Sequence, residues 1–154
     1  MNARIVDYSP EYRDAFRKLN LEWIERFFAV EESDRTMLGD PEGTIIDRGG
    51  FVFVALDGDS VAGVCSLVPV GGRAYQIAKM AVSPESRGRG TGRRLAEAAI
   101  SRARERGAER VELFSNTVLE PAISLYRSLG FVEVPLEGDE HARSNIRMVL
   151  TLQD

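Results

Sequence analysis

The segment Lys79 to Leu95 constrains the fold more than any other part of the chain. A run of strand formers ends at Ser83-Pro84, three glycines follow within Arg87-Gly88-Arg89-Gly90-Thr91-Gly92, and a helical pattern begins at once. Proline cannot continue a ladder, so the strand stops there, and glycine gives the turn access to left-handed backbone. Beyond it Leu95, Ala99 and Ala103, with Ala96 and Ile100 beside them, form the buried side of a helix closed by Gly107. Such a helix start offers free backbone N–H groups and the positive end of a dipole to an anion.

The remaining elements follow from periodicity. Arg4 to Tyr8 reads as a short strand and Ser9-Pro10 as a helix start, after which Tyr12, Phe16, Leu19, Trp23 and Phe27 make one apolar stripe. Residues 31–50 carry Glu31, Glu32, Asp34, Asp40, Pro41 and Gly43, and read as a loop with a short helix near Asp34 to Leu38. Phe51 to Leu56 and Val61 to Val68 are strands joined by an Asp57-Gly58 hairpin, and Gly71-Gly72 turns into a third strand, Ala74 to Val82. Arg110 to Ser115, Glu120 to Leu129, Phe131 to Val134 and Ile146 to Leu152 then read as strand, helix, strand and strand. Hairpins followed by this alternation predict an α/β fold, a mixed sheet with helices on both faces. At 154 residues the expectation is one domain spanning 1–154.

Composition then removes whole classes of chemistry. The 44% hydrophobic and 29% charged residues are those of a soluble globular protein. No apolar run approaches the ~20 residues of a membrane span. With 20 Lys and Arg against 24 Asp and Glu, a net charge of −4 does not favour nucleic acid. One Cys and one His leave no disulfide framework, no Cys/His metal site and few His-centred triads. The N-terminus lacks a basic start followed by an apolar stretch, so a cytoplasmic protein is expected.

Spacing separates the anion-site readings of residues 87–94. A Walker loop needs Gly-Lys-Ser/Thr, which is missing, and a dinucleotide fingerprint needs its third glycine at position 93, which is Arg. Arg87, Arg89, Arg93 and Arg94 cluster in an acidic chain, which favours a phosphate site over a merely solvated helix start.

These residues resemble the GNAT superfamily of acyl-CoA-dependent N-acyltransferases, whose pyrophosphate loop has the form Gln/Arg-x-x-Gly-x-Gly/Ala. Arg87-Gly88-Arg89-Gly90-Thr91-Gly92 matches it in full. Downstream, the family places a strand, an Asn, a helix carrying a Tyr, and Gly-Phe. Here these are Val111 to Ser115, Asn116, the helix through Tyr126, and Gly130-Phe131. The stretch Trp23, Glu31, Asp34, Pro41 and Gly49-Gly50 is similar to one bacterial branch.

The resemblance implies a mostly antiparallel central sheet with a splayed parallel pair. It also implies acetyl-CoA as cofactor, no metal, a small-molecule or peptide amine as acceptor, and a possible homodimer. Backbone N–H groups of Arg87, Gly88, Arg89, Gly90, Thr91, Gly92 and Arg93 would hold the pyrophosphate. Met80, Ala81 and Val82 would run beside the pantetheine arm, and the Met80 N–H would bind the thioester carbonyl as an oxyanion donor. Asn116 would contact the cofactor, and Tyr126 would protonate or stabilise the leaving thiolate. Read without the motif, Tyr126 is a core tyrosine beside Leu125 and Leu129.

An amine acceptor is mostly ammonium near neutral pH, so a base or a water relay must take a proton. Many relatives carry a Glu eleven residues before the loop, where this chain has Gln76, which cannot accept one. Glu31 and Glu32 become the substitute bases, Glu31 slightly ahead because its Glu-x-x-Asp spacing to Asp34 matches that branch, with Trp23, Gln76 and Asn145 as acceptor-binding candidates. Arg143 and Asn145 read equally well as turn residues. Lys79, placed by strand alternation on the sheet face opposite Gln76, reads as structural. Cys65 reads as a small core residue and His141 as part of a hairpin. Because Gln76 replaces a base, a non-catalytic acyl-CoA-binding or sensing domain stands beside the enzyme reading.

Overall fold

A computed structural model of the chain describes residues 3–137 and 143–152. Strands β1 (Arg4–Asp7), β2 (Phe51–Asp57), β3 (Ser60–Gly71), β4 (Ala74–Val82), β5 (Arg110–Ser115), β6 (Val132–Val134) and β7 (Ile146–Thr151) form one sheet. Their order is β1-β2-β3-β4-β5-β7-β6. Every neighbouring pair is antiparallel except β4 and β5, which are parallel. The helices are α1 (Arg13–Phe27), α2 (Glu32–Gly39), α3 (Pro41–Thr44), α4 (Thr91–Glu105) and α5 (Glu120–Ser128). No described helix is long and apolar enough to cross a membrane.

Alternation along β2 divides the molecule into two cores. Val52, Val54 and Leu56 pack with Phe16 and Ile24 of α1 and Leu38 of α2. Phe53 and Ala55 point the other way, joining Leu95 and Ala99 of α4 and Ile123 and Tyr126 of α5. Helices therefore cover both faces, as the sequence predicts. Burying a side chain such as Leu95 contributes about 1.5–3 kcal/mol, and this contact fixes α4 on the sheet. Gly63 of β3 makes the approach possible, because a Cβ there would stand 3.0 Å from Leu95 and 3.1 Å from the Ala81 carbonyl.

Residues 31–50 are mostly helical rather than loop, which corrects the reading from turn formers. Those residues start helices here. Asp34 accepts a hydrogen bond from the Glu31 N–H at 2.8 Å, Asp40 accepts one from the Gly43 N–H at 3.0 Å, and Pro41 opens α3. Asp34 and Leu38, one turn apart, are both buried. Gly50 then brings the chain against the sheet where a Cβ would meet the Leu67 carbonyl at 2.8 Å.

Two irregularities of β4 prepare the site. Ser66 pairs with Ala78 and Val64 with Ala81, so one residue of β3 opposes two of β4 in a bulge, with Lys79 in left-handed backbone at φ 47°. The bulge resets the alternation: Ile77 and Met80 pack toward α4 and α5, and Ala81 toward α1. Lys79 consequently bonds Asp34 of α2, on the face where Gln76 pairs with Val68, rather than lying on the opposite face, which corrects the expectation from strand alternation. The second irregularity is the parallel pair, which joins only Ala74 to Arg110, Tyr75 to Val111 and Gln76 to Glu112. Beyond Gln76 the two strands diverge, although they continue to Val82 and Ser115.

Candidate active site

A cavity of about 710 Å³ opens where β4 and β5 part. Residues 76–82 of β4 and 113–116 at the end of β5 form its base, α5 closes one side, and α1 with Glu31 and Arg143 closes the other. Lys79 and Met80 have no paired residue on β3, and pairing to β5 has already stopped at Gln76. The backbone around Met80 therefore offers an unmatched stretch of strand to an extended ligand.

The cavity leads into the glycine turn. Gly88 and Gly90 are left-handed at φ 78° and 80°, and Gly90 is the N-cap of α4. The Arg94 N–H bonds the Gly90 carbonyl at 3.1 Å, so the N–H groups just ahead of it lie before the first helical bond. Gly92 faces Leu125 and Val82, with room at 3.7 and 3.8 Å for a Cβ.

The four arginines divide. Arg87 lines the cavity and Arg89 is exposed. Arg93 is held by the Ser128 hydroxyl at 2.8 Å and by Glu97 at 3.4 Å, so its side chain is committed to joining α4 and α5. Arg94 turns inward, with Nη1 buried and lacking a partner among the described residues.

Tyr126 lines the cavity from α5 and is otherwise in the core, with its ring edge-on to Phe131 at 5.8 Å. Burial, followed by the neighbouring Cys65 thiol, raises its pKa well above that of an ordinary phenol. The group stays protonated at any physiological pH. Cys65 is wholly buried and its thiol is pushed up to about 12 by that burial, which makes it an inert core residue. Asn116 lines the cavity while bracing the turn after β5: Oδ1 accepts from the Val118 N–H and Nδ2 donates to the Arg143 carbonyl, both at 3.0 Å.

On the opposite wall stand Trp23, Phe27, Phe28 and Glu31, with Gln76 in the base. Behind them lies a charge cluster that sequence reasoning did not find. Asp34, wholly buried, accepts hydrogen bonds on Oδ1 from both Lys79 Nζ and Arg143 Nη2. Burial alone would raise the Asp34 pKa, but the bonds from Lys79, the Glu31 N–H and Arg143 outweigh it and hold the carboxyl below its usual range. The stability this provides is complete above the unfolded-state pKa of about 3.9 and is lost as pH falls through the lower folded value. Asp34→Asn should therefore lower stability by about 3 kcal/mol, leaving two cations sharing no anion. In thermal melts this is a drop of roughly 6–12 °C at neutral pH, shrinking toward pH 3. An unchanged melting temperature would mean that the cluster contributes nothing net.

Asn145 is not in the cavity wall. Its amide accepts from the Thr117 N–H at 2.9 Å and donates to the Thr117 hydroxyl at 3.1 Å, which is the role of a turn residue. Arg143, two positions earlier, is the one that lines the cavity. Of the acids in residues 31–42, Glu31 alone lines it, while Asp34 is buried and Glu42 is paired with Arg13 at 2.7 Å. His141 lies outside the described residues.

Solved structures share this architecture. A GNAT-family acetyltransferase from Staphylococcus aureus Mu50 superposes with a TM-score of 0.87 at 18% identity, covering 98% of this chain and 99% of that one. A Bacillus subtilis acetyltransferase in complex with CoA gives 0.78 at 24% identity, covering 98% and 99%. In sequence, streptothricin acetyltransferase of Streptomyces lavendulae is 38% identical over 90 residues, which are 58% of this chain and 48% of that protein. The chain spans about half the length of the curated relatives it matches, 46% of rat N-acetyltransferase 8F1 among them. Residues 7–131 match the Acetyltransferase (GNAT) family, and the chain belongs to that family.

Proposed function

We propose that this chain, as a single domain, transfers an acetyl group from acetyl-CoA to a primary amine by direct attack within a ternary complex. The divergence of β4 from β5 carries this reading, because it leaves a strand edge that runs into the Gly88 and Gly90 turn and ends opposite Tyr126. A pantetheine arm fits beside residues 80–82 as an added strand, and a pyrophosphate fits the N–H groups ahead of Arg94. The bound coenzyme supplies a thioester carbonyl and a thiolate leaving group. The streptothricin enzyme is named as an acetyltransferase, and the Bacillus subtilis structure contains CoA, which supports the same cofactor here.

Each residue then has one task. The Met80 N–H donates to the carbonyl oxygen as negative charge develops there. Tyr126 donates its hydroxyl hydrogen to the departing sulfur. With a pKa raised by burial, complete transfer to a thiol of ordinary acidity is uphill, so the phenol acts chiefly as a hydrogen-bond donor. Glu31, the one carboxylate among the described cavity residues, takes the ammonium proton directly or through water, and Gln76 orients the amine or that water.

The decisive experiment is thiol release from acetyl-CoA across a panel of amines, with Glu31→Gln alongside. Glu31→Gln should lower kcat/KM by about 10²-fold. Tight coenzyme binding without transfer to any acceptor would favour a binding or sensing domain, the reading that Gln76 keeps alive. Because the Tyr126 pKa is raised, kcat should show no descending alkaline limb below about pH 10. A limb near pH 8 would remove Tyr126 as the donor.

A further inference from the structure

The acceptor half of the cavity is not electrically balanced. Arg26, Lys79 and Arg143 line it, against Glu31 on the wall and Asp34 behind it. Three cations face two carboxylates among the described residues, and the unpaired positive charge disfavours an acceptor that is only cationic. Counted over the described residues, donors also remain unused. Lys79 commits one of its three N–H bonds to Asp34, and Arg143 commits two of its five, to Asp34 and to the Ala29 carbonyl. A carboxylate fits the remaining fork of a guanidinium better than any neutral group does.

A second observation concerns the apolar wall. Trp23, Phe27 and Phe28 pack with ring centroids 5.3, 6.2 and 6.3 Å apart, and Phe27 stays 43% exposed at the cavity. An aromatic surface left open inside a pocket is matched by an apolar group of the ligand. The third observation is proximity. Asp34 takes the backbone N–H of Glu31 on Oδ2 and the Arg143 guanidinium on Oδ1, and the Glu31 side chain, which caps that same turn, lines the cavity together with Arg143.

We propose that the acceptor is a zwitterionic α-amino acid with an apolar side chain. Its carboxylate is held by Arg143 and Lys79, its ammonium faces Glu31, and its side chain lies on Trp23 and Phe27. This rests on the acetyl-transfer reading and names the substrate class of that same site.

Thiol release and product mass are measured on the full chain with L-phenylalanine, L-phenylalaninamide and 2-phenylethylamine, with L-methionine and its amide, and with spermidine. The free acids should exceed their amides by at least about 30-fold in kcat/KM, and Arg143→Gln should bring that ratio to within about threefold of unity. The wild-type ratio alone decides the matter should that variant fail to fold. Amides or spermidine turned over as well as the acids would overturn this assignment and leave acetyl transfer standing. No thiol release with any amine while coenzyme still binds would overturn both.

Discussion

Tyr126→Phe should lower kcat by about two to three orders of magnitude, the range usual for losing one positioned proton donor, while coenzyme affinity stays within about threefold. The substitution removes only a hydroxyl. The ring keeps its edge-on contact with Phe131, and among the described residues no hydrogen bond contributes to the state of the phenol, so the melting temperature should not move. Those features make the variant a clean test of chemistry against packing. Full retention of kcat would reduce Tyr126 to a core residue, the alternative that a tyrosine beside Leu125 and Leu129 always carries.

Gly90→Val should weaken coenzyme binding by about 100-fold or more. Gly90 sits at φ 80°, a region that a β-branched residue enters only with strain of about 1–2 kcal/mol. Nothing among the described residues stands within 4 Å of the added Cβ, so the new side chain projects into the space where a pyrophosphate would approach the backbone. Gly107→Val separates strain from the loss of a binding surface. Gly107 is equally left-handed at φ 74°, but caps the far end of α4, where its Cβ would meet the Arg73 side chain at 3.6 Å. Calorimetric titration with CoA should find wild-type affinity in Gly107→Val. Unchanged affinity in Gly90→Val would remove the loop assignment altogether.

What the sequence revealed and what it hid divide along a physical line. The glycine turn, the helix behind it and Tyr126 are encoded locally, in the spacing of Gly88, Gly90 and Gly92 and in the apolar stripe through Leu95 and Ala99, so they are legible residue by residue. The bulge at Lys79 is not. Strand alternation is a period-two rule, and one inserted residue inverts it for everything beyond, which moved Lys79 to the side of Gln76. The Asp34 cluster joins positions 34, 79 and 143, separations that no periodicity connects. One signal was present: Asp34 lies one turn before Leu38, on the buried stripe of its own short helix. An acid in that phase is a buried carboxylate in search of a cation. Asn145 and Arg143 show the opposite case, since both precede β7 and only the packing of the turn decides which of them faces the cavity.

The same line separates two readings of the acids. Glu31, Glu32, Asp34, Asp40 and Glu42 resemble an acidic patch in sequence, yet the fold spends Asp34 on an ion cluster, Asp40 on a helix cap and Glu42 on Arg13. Charge near a site in sequence is thus a poor guide to charge within it. The cavity wall carries more cations than carboxylates in a chain whose net charge is −4.

Initial velocities over a grid of acetyl-CoA and acceptor concentrations test the central claim most directly. Direct attack in a ternary complex predicts double-reciprocal lines that intersect, because both substrates must be bound before the thiol leaves. Parallel lines, with thiol released in a burst before any acceptor is added, would reveal an acetylated enzyme and contradict the account.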